Sequence, residues 1–145
     1  MLKGIPSILS PALLKALCEM GHSDRLVITD GNFPAESMGK EAIVIRLEGH
    51  GVCAVLEAVL QLFPLDTYVE TPVKLMAKVP GDTAATPIWD EFKAIIAKYD
   101  NREGLVENLE RFSFYEESKK AYLIIATSEK ALYANVILQK GVVVE

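Results

Sequence analysis

The feature that most constrains this chain is an alternation of short, unbroken apolar runs with segments of helical period. Leu26-Val27-Ile28-Thr29, Ala42-Ile43-Val44-Ile45 and Val73 to Val79 read as strands, as do Tyr122 to Ala126 and Asn135 to Leu138. Between them lie helices with recognisable ends. Ser10 can cap free amides and Pro11 is tolerated at the first helical position, with Leu13, Leu14 and Leu17 on one face and Gly21 as the stop. A second helix runs from about Val52 to Phe63 and halts before Pro64. A third opens at Thr86-Pro87 with Ile88, Phe92, Ile95 and Ile96 on one face. Ser113 and Glu116 have capping-box spacing and predict a short helix that starts there. Asn32 to Gly39 reads as a loop. Strands alternating with helices predict an α/β fold, a single compact domain over residues 1–145 with a central β-sheet flanked by helices.

Composition excludes several classes of function. Half of the 145 residues are hydrophobic, which suits a folded chain with one sizeable core. The formal net charge is −5 and the basic residues are scattered, so no phosphate-tracking stripe exists and no nucleic-acid partner is expected. Lys119-Lys120 beside Glu116-Glu117 reads as an exposed helix turn carrying its own counter-charges. The two cysteines, Cys18 and Cys53, fall in apolar helical segments outside any CxxC pattern and read as buried small hydrophobes. The N-terminus lacks the apolar run of a signal peptide and no window has the length of a membrane span. A cytoplasmic protein with no membrane partner is expected. The slightly positive mean hydropathy fits apolar surface buried between subunits.

The chemistry available is sparse. There is no GxxxxGK[ST] loop, no GxGxxG and no GxSxG elbow. Only two histidines are present, which rules out a multi-histidine metal site within one chain. His22 follows a helix and precedes a strand that delivers Asp30 at its far end; the pair reads either as part of a loop-borne site or as a surface turn and a strand end. Arg111, beside Phe112, Phe114 and Tyr115, is either a guanidinium stacked in an interface or an anchor for a ligand. Tyr133 and Asn135 alternate with Ala134, so on a strand both would face one side, as a pair for a hydroxyl-rich ligand or as a plain edge. His50 between two glycines reads as a surface turn, Asp24-Arg25 as a local pair, and Asp82-Thr83 as a turn closed by side-chain capping.

Taken in order, several segments resemble the fucose-mutarotase and ribose-pyranase family. Met20-Gly21-His22-Ser23-Asp24 followed by Asp30-Gly31-Asn32-Phe33-Pro34 is similar to the family's N-terminal site. Leu65-Asp66-Thr67-Tyr68-Val69 and Arg111-Phe112-Ser113-Phe114-Tyr115-Glu116 resemble its fucose branch, and Tyr133-Ala134-Asn135-Val136-Ile137-Leu138 with Lys140-Gly141-Val142 resembles its shared C-terminal motif. Ser23 stands where many relatives have glycine, and Ala134 is closer to the ribose branch. The likeness spans about Leu2 to Val142. It implies a ribose-pyranase-like α/β fold, a homo-decameric ring with sites at subunit contacts, and no cofactor or metal. It also implies roles: His22 as the proton donor, with Asp30, Arg111, Tyr133 and Asn135 as sugar contacts.

On that resemblance the expected activity is mutarotation of L-fucose. Opening a cyclic hemiacetal needs one group to take the anomeric hydroxyl proton and another to protonate the ring oxygen. A histidine, with its ordinary pKa of about 6.5, suits that exchange. Tyr115, Tyr133 or a neighbouring subunit's tyrosine are candidates for the second group. A 6-deoxy sugar's methyl group against an apolar wall discriminates by only roughly 1–3 kcal/mol, so D-ribose stays open as a substrate. The alternatives are a D-ribose pyranase and a non-catalytic monosaccharide-binding ring.

Overall fold

The computed structural model describes residues 1–145. In chain order the elements are α1 (Pro11–Glu19), β1 (Arg25–Thr29), α2 (Ala35–Met38), β2 (Ile43–Leu47), α3 (Val52–Leu60) and β3 (Val73–Met76). They continue with α4 (Ile88–Tyr99), β4 (Val106–Leu109), α5 (Arg111–Lys119), β5 (Leu123–Thr127) and β6 (Val136–Gln139). The strands form one six-stranded sheet in the order β2-β5-β1-β6-β3-β4. β2, β5 and β1 run parallel, as do β3 and β4, while β6 is antiparallel to both β1 and β3. One reversed strand in an otherwise parallel sheet therefore brings its own start to the edge where its neighbours end.

The period of two along each strand divides the core. Leu26, Ile28, Leu123, Ile125, Val136 and Leu138 face α1, α3 and α4, whose Leu13, Val55, Leu56, Phe92 and Ile96 pack against them. Val27, Ile124 and Ile137 face the other way, toward Ala35 of α2 and Phe114 of α5. The register pairs Val27 with both Ile124 and Ile137, so three branched side chains stack across the sheet centre. Each such fully buried side chain contributes roughly 1.5–3 kcal/mol. The expected α/β architecture, helices on both faces of a central sheet, is the one observed.

Several local expectations are corrected. Ala35–Met38, within the predicted loop, makes one helical turn, and β4 is a strand that no apolar run in the sequence announces. The helix α1 ends at Glu19, with Met20 already extended, so Gly21 is not its stop; the Ser10 cap, accepting from the Leu13 N–H at 3.2 Å, is as expected. Helix α5 starts at Arg111 because the Glu110 carboxylate accepts from the Phe112 and Ser113 amides at 2.9 and 3.1 Å, leaving Ser113 inside the first turn. Cys18 is exposed and Cys53 only partly buried. Arg25 pairs with Glu117 at 2.8 Å, not with Asp24, whose carboxylate accepts from the Gly21 N–H. Lys119 and Lys120 do pair with Glu116 and Glu117. No helix is long and apolar enough to cross a membrane.

Candidate active site

The parallel strands point their C-terminal ends, and β6 its N-terminal end, at one edge of the sheet. Asp30 follows β1 there and is buried. Its Oδ2 accepts from Asn135 Nδ2 at 2.9 Å, while its N–H donates to Asn135 Oδ1 at 2.9 Å. This two-bond clasp links residues 105 positions apart. Oδ1 accepts from the Asn32 N–H at 3.0 Å, which shapes the turn after the strand. Burial pushes the Asp30 carboxyl above the ordinary aspartate value, outweighing the hydrogen bonds that favour its charge.

Tyr133 reaches the same place by a different route from the one its spacing suggests. β6 begins only at Val136, and Tyr133 sits in the left-handed region with φ 56°. That conformation is held by its surroundings. Trp89 Nε1 donates to its carbonyl at 3.0 Å, and its hydroxyl donates to Asp82 while accepting from the Val79 N–H at 3.3 Å. The Asp82 hydrogen bond holds the phenol above its ordinary value, so at neutral pH Tyr133 is a donor and not a base.

Arg111 opens α5 beside them. Its guanidinium lies over the Phe112 ring, 4.6 Å from the centroid, and its Nε is buried with no partner in the chain. A buried N–H left unbonded costs free energy that a ligand oxygen would recover. With Asp30, Asn135, Tyr133 and Asp82, Arg111 encloses a cavity of about 190 Å³ whose apolar wall includes Phe33, Tyr115 and Leu132. Phe33 meets Tyr115 edge-on at 5.6 Å, which fixes that wall. One side thus offers hydroxyl-binding groups and the other a hydrophobic face. Nowhere do three or more His, Cys, Asp or Glu side chains converge to hold a metal ion.

The chain therefore brings Asp30, Arg111, Tyr133 and Asn135 together and leaves His22 elsewhere. His22 precedes β1 and Asp30 follows it, so the two lie at opposite ends of a five-residue strand. At about 3.3 Å per residue, that strand separates them by roughly 16 Å. His22 Nε2 lies 3.1 Å from Asp66 Oδ1, and its ring packs against Tyr68 with centroids 5.2 Å apart. The His22 side chain is 43% exposed. Asp82 does more than close the turn that its sequence context predicts. It does cap Ala84 at 2.8 Å, but its second oxygen holds Tyr133, a pairing 51 residues long that no local pattern announces.

The family model described as the RbsD / FucU transport protein family matches residues 3–143. The solved FucU of Bifidobacterium longum is 62% identical, with a TM-score of 0.96, covering 98% of this chain and 100% of that one. The structure of the fucose mutarotase from Streptococcus pneumoniae in complex with L-fucose is 44% identical, with a TM-score of 0.93 and coverage of 99% and 100%. The fucose mutarotase of Mus musculus is 49% identical over 144 residues, 97% of this chain and 94% of the mouse protein.

Proposed function

The chain belongs to the RbsD / FucU transport protein family, and from that premise we propose that it is an L-fucose mutarotase, interconverting the α and β anomers by general acid–base catalysis. The observation that carries the reading is the cavity itself. A buried carboxylate–amide clasp, a phenol and an unpartnered guanidinium face an aromatic wall, which suits a pyranose with hydroxyls on one side and a methyl group on the other. The relative from Streptococcus pneumoniae, solved with L-fucose, supports the choice of sugar.

In the proposed reaction a base removes the anomeric hydroxyl proton and the C1–O bond becomes a carbonyl. The bond from C1 to the ring oxygen breaks, and that oxygen takes a proton from an acid. Rotation about C1–C2 presents the other face of the aldehyde, and the transfers run backwards to close the ring. Asp30, Asn135, Arg111 and Tyr133 hold the hydroxyls, and this positioning is what makes the proton transfers effective. His22 exchanges the proton, a contribution of roughly 10²–10⁴-fold.

Because one chain keeps His22 at the far edge of its sheet, the proposal places it in the cavity of a neighbouring copy within a homo-decameric, cytoplasmic ring. Its half-exposed ring and the adjacent Tyr68, 77% exposed, are free to meet such a neighbour. The test is anomer exchange on L-fucose and D-ribose by saturation-transfer NMR, using wild type, His22→Ala, Asn135→Ala and a co-refolded mixture of the two variants. Each variant alone is expected to be slow, and random assortment in the mixture restores about a quarter of the sites. A mixture as inactive as its parents refutes the shared site. Faster exchange of ribose than of fucose by the wild type refutes the sugar assignment.

A further inference from the structure

Asp66 takes no part in the cavity, yet it is among the most constrained polar groups of the fold. Its side chain is 1% exposed. Oδ1 accepts from the Tyr68 N–H at 2.9 Å and faces His22 Nε2 at 3.1 Å, while Oδ2 accepts from Gln139 Nε2 at 2.9 Å. Its backbone is pinned as well, the N–H donating to the Gln139 carbonyl at 3.0 Å and the carbonyl accepting from Arg102 at 3.3 Å. The loop that carries His22 is tied to the same strand end, with Ser23 N–H donating to the Lys140 carbonyl at 2.9 Å. Burial opposes ionisation of Asp66, but the hydrogen bonds from Tyr68, Gln139 and His22 prevail and hold the carboxyl below the ordinary aspartate value.

An ionised carboxylate only accepts hydrogen bonds, so the ring nitrogen facing it must carry a proton. We infer that Asp66 is the positioning residue of the reaction, locking His22 as the Nε2–H tautomer so that Nδ1 is the atom that exchanges the sugar's proton. The inference rests on the reading of His22 as the exchanging group. It also gives Leu65-Asp66-Thr67-Tyr68 and Gln139-Lys140-Gly141 a shared purpose, since together they build the cradle under one imidazole. When Nδ1 takes the anomeric proton, the ring gains a positive charge directly against the Asp66 carboxylate, as in other aspartate-oriented histidines.

The experiment has two arms. In the assembled wild-type protein, side-chain ¹⁵N NMR at a pH where His22 is neutral should show Nε2 protonated and Nδ1 bare; a neutral ring protonated on Nδ1 overturns the inference without any mutation. In the second arm, Asp66→Asn and Asp66→Glu are compared with His22→Ala for exchange of L-fucose. Asp66→Asn should lose roughly 10–100-fold in kcat with KM little changed, because the Asp66 side chain is buried beneath His22 and does not line the cavity, and Asp66→Glu should recover part of that loss. A purely structural role would move KM and kcat together and gain nothing from the glutamate, and would overturn the inference. Full exchange by His22→Ala would remove the reading beneath it and the inference too. An inactive His22→Ala beside a fully active Asp66→Asn would remove the inference alone.

Discussion

Cys53 shows how position and environment can oppose each other in a single side chain. As the second residue of α3 it lies at a helix N-terminus, where a thiolate is ordinarily favoured. Here burial, and then the nearby Glu91 carboxylate, push its thiol up to about 12. The Sγ donates to Glu91 Oε2 at 3.5 Å, so the thiol is a hydrogen-bond donor and not a nucleophile. Cys18 is exposed. A disulfide-exchange reagent at pH 8 should therefore modify Cys18 in the folded protein and spare Cys53 until denaturant is added; rapid labelling of both under native conditions would contradict this. At this scale the sequence is informative about chemistry and silent about company. Asp30 and Asn135 are visible as candidates, but their clasp spans 105 residues and Asp82's hold on Tyr133 spans 51. Only the folded sheet creates either.

Among the elements, legibility follows burial. β1 and β5 are unbroken apolar runs because both faces of the sheet centre are covered, and such runs can be read directly. β4, Val106-Glu107-Asn108-Leu109, lies at the sheet's edge with its central residues in solvent, so no apolar run marks it. Helix α2 is a single turn with no side-chain cap, and the start of α5 shifts because Glu110 caps the amides ahead of the expected Ser113. The segment after β6 contains the tightest approach in the cradle. A Cβ on Gly141 would lie 2.5 Å from the Leu65 carbonyl oxygen and 3.0 Å from Asp66 Cα, while the Gly141 N–H already donates to Pro64 at 2.8 Å. Backbone cannot turn aside as a side chain can. Gly141→Ala should cost about 1–3 kcal/mol in urea unfolding and displace Asp66, lowering kcat for anomer exchange. Unchanged stability and rate would show that the 64–66 segment yields freely.

Over the whole molecule, the cavity lies where ligands gather in open α/β sheets, outside the C-terminal ends of the strands. Alternating strand and helix signals suffice to anticipate the fold class, but not the sheet order or the reversal of β6, which rest on which apolar faces pair. That reversal has a consequence for how the proposed enzyme must behave. β6 leads from Asn135 in the cavity to Gln139 in the cradle of His22, so under the proposed shared site each chain carries two unlike halves, at opposite ends of its sheet, that it cannot bring together itself. Catalysis then acquires a dependence on concentration. If the site is shared as proposed, dilution that separates the copies should leave the circular dichroism unchanged while turnover per chain collapses. Anomer exchange would become a binding isotherm for the chain against itself.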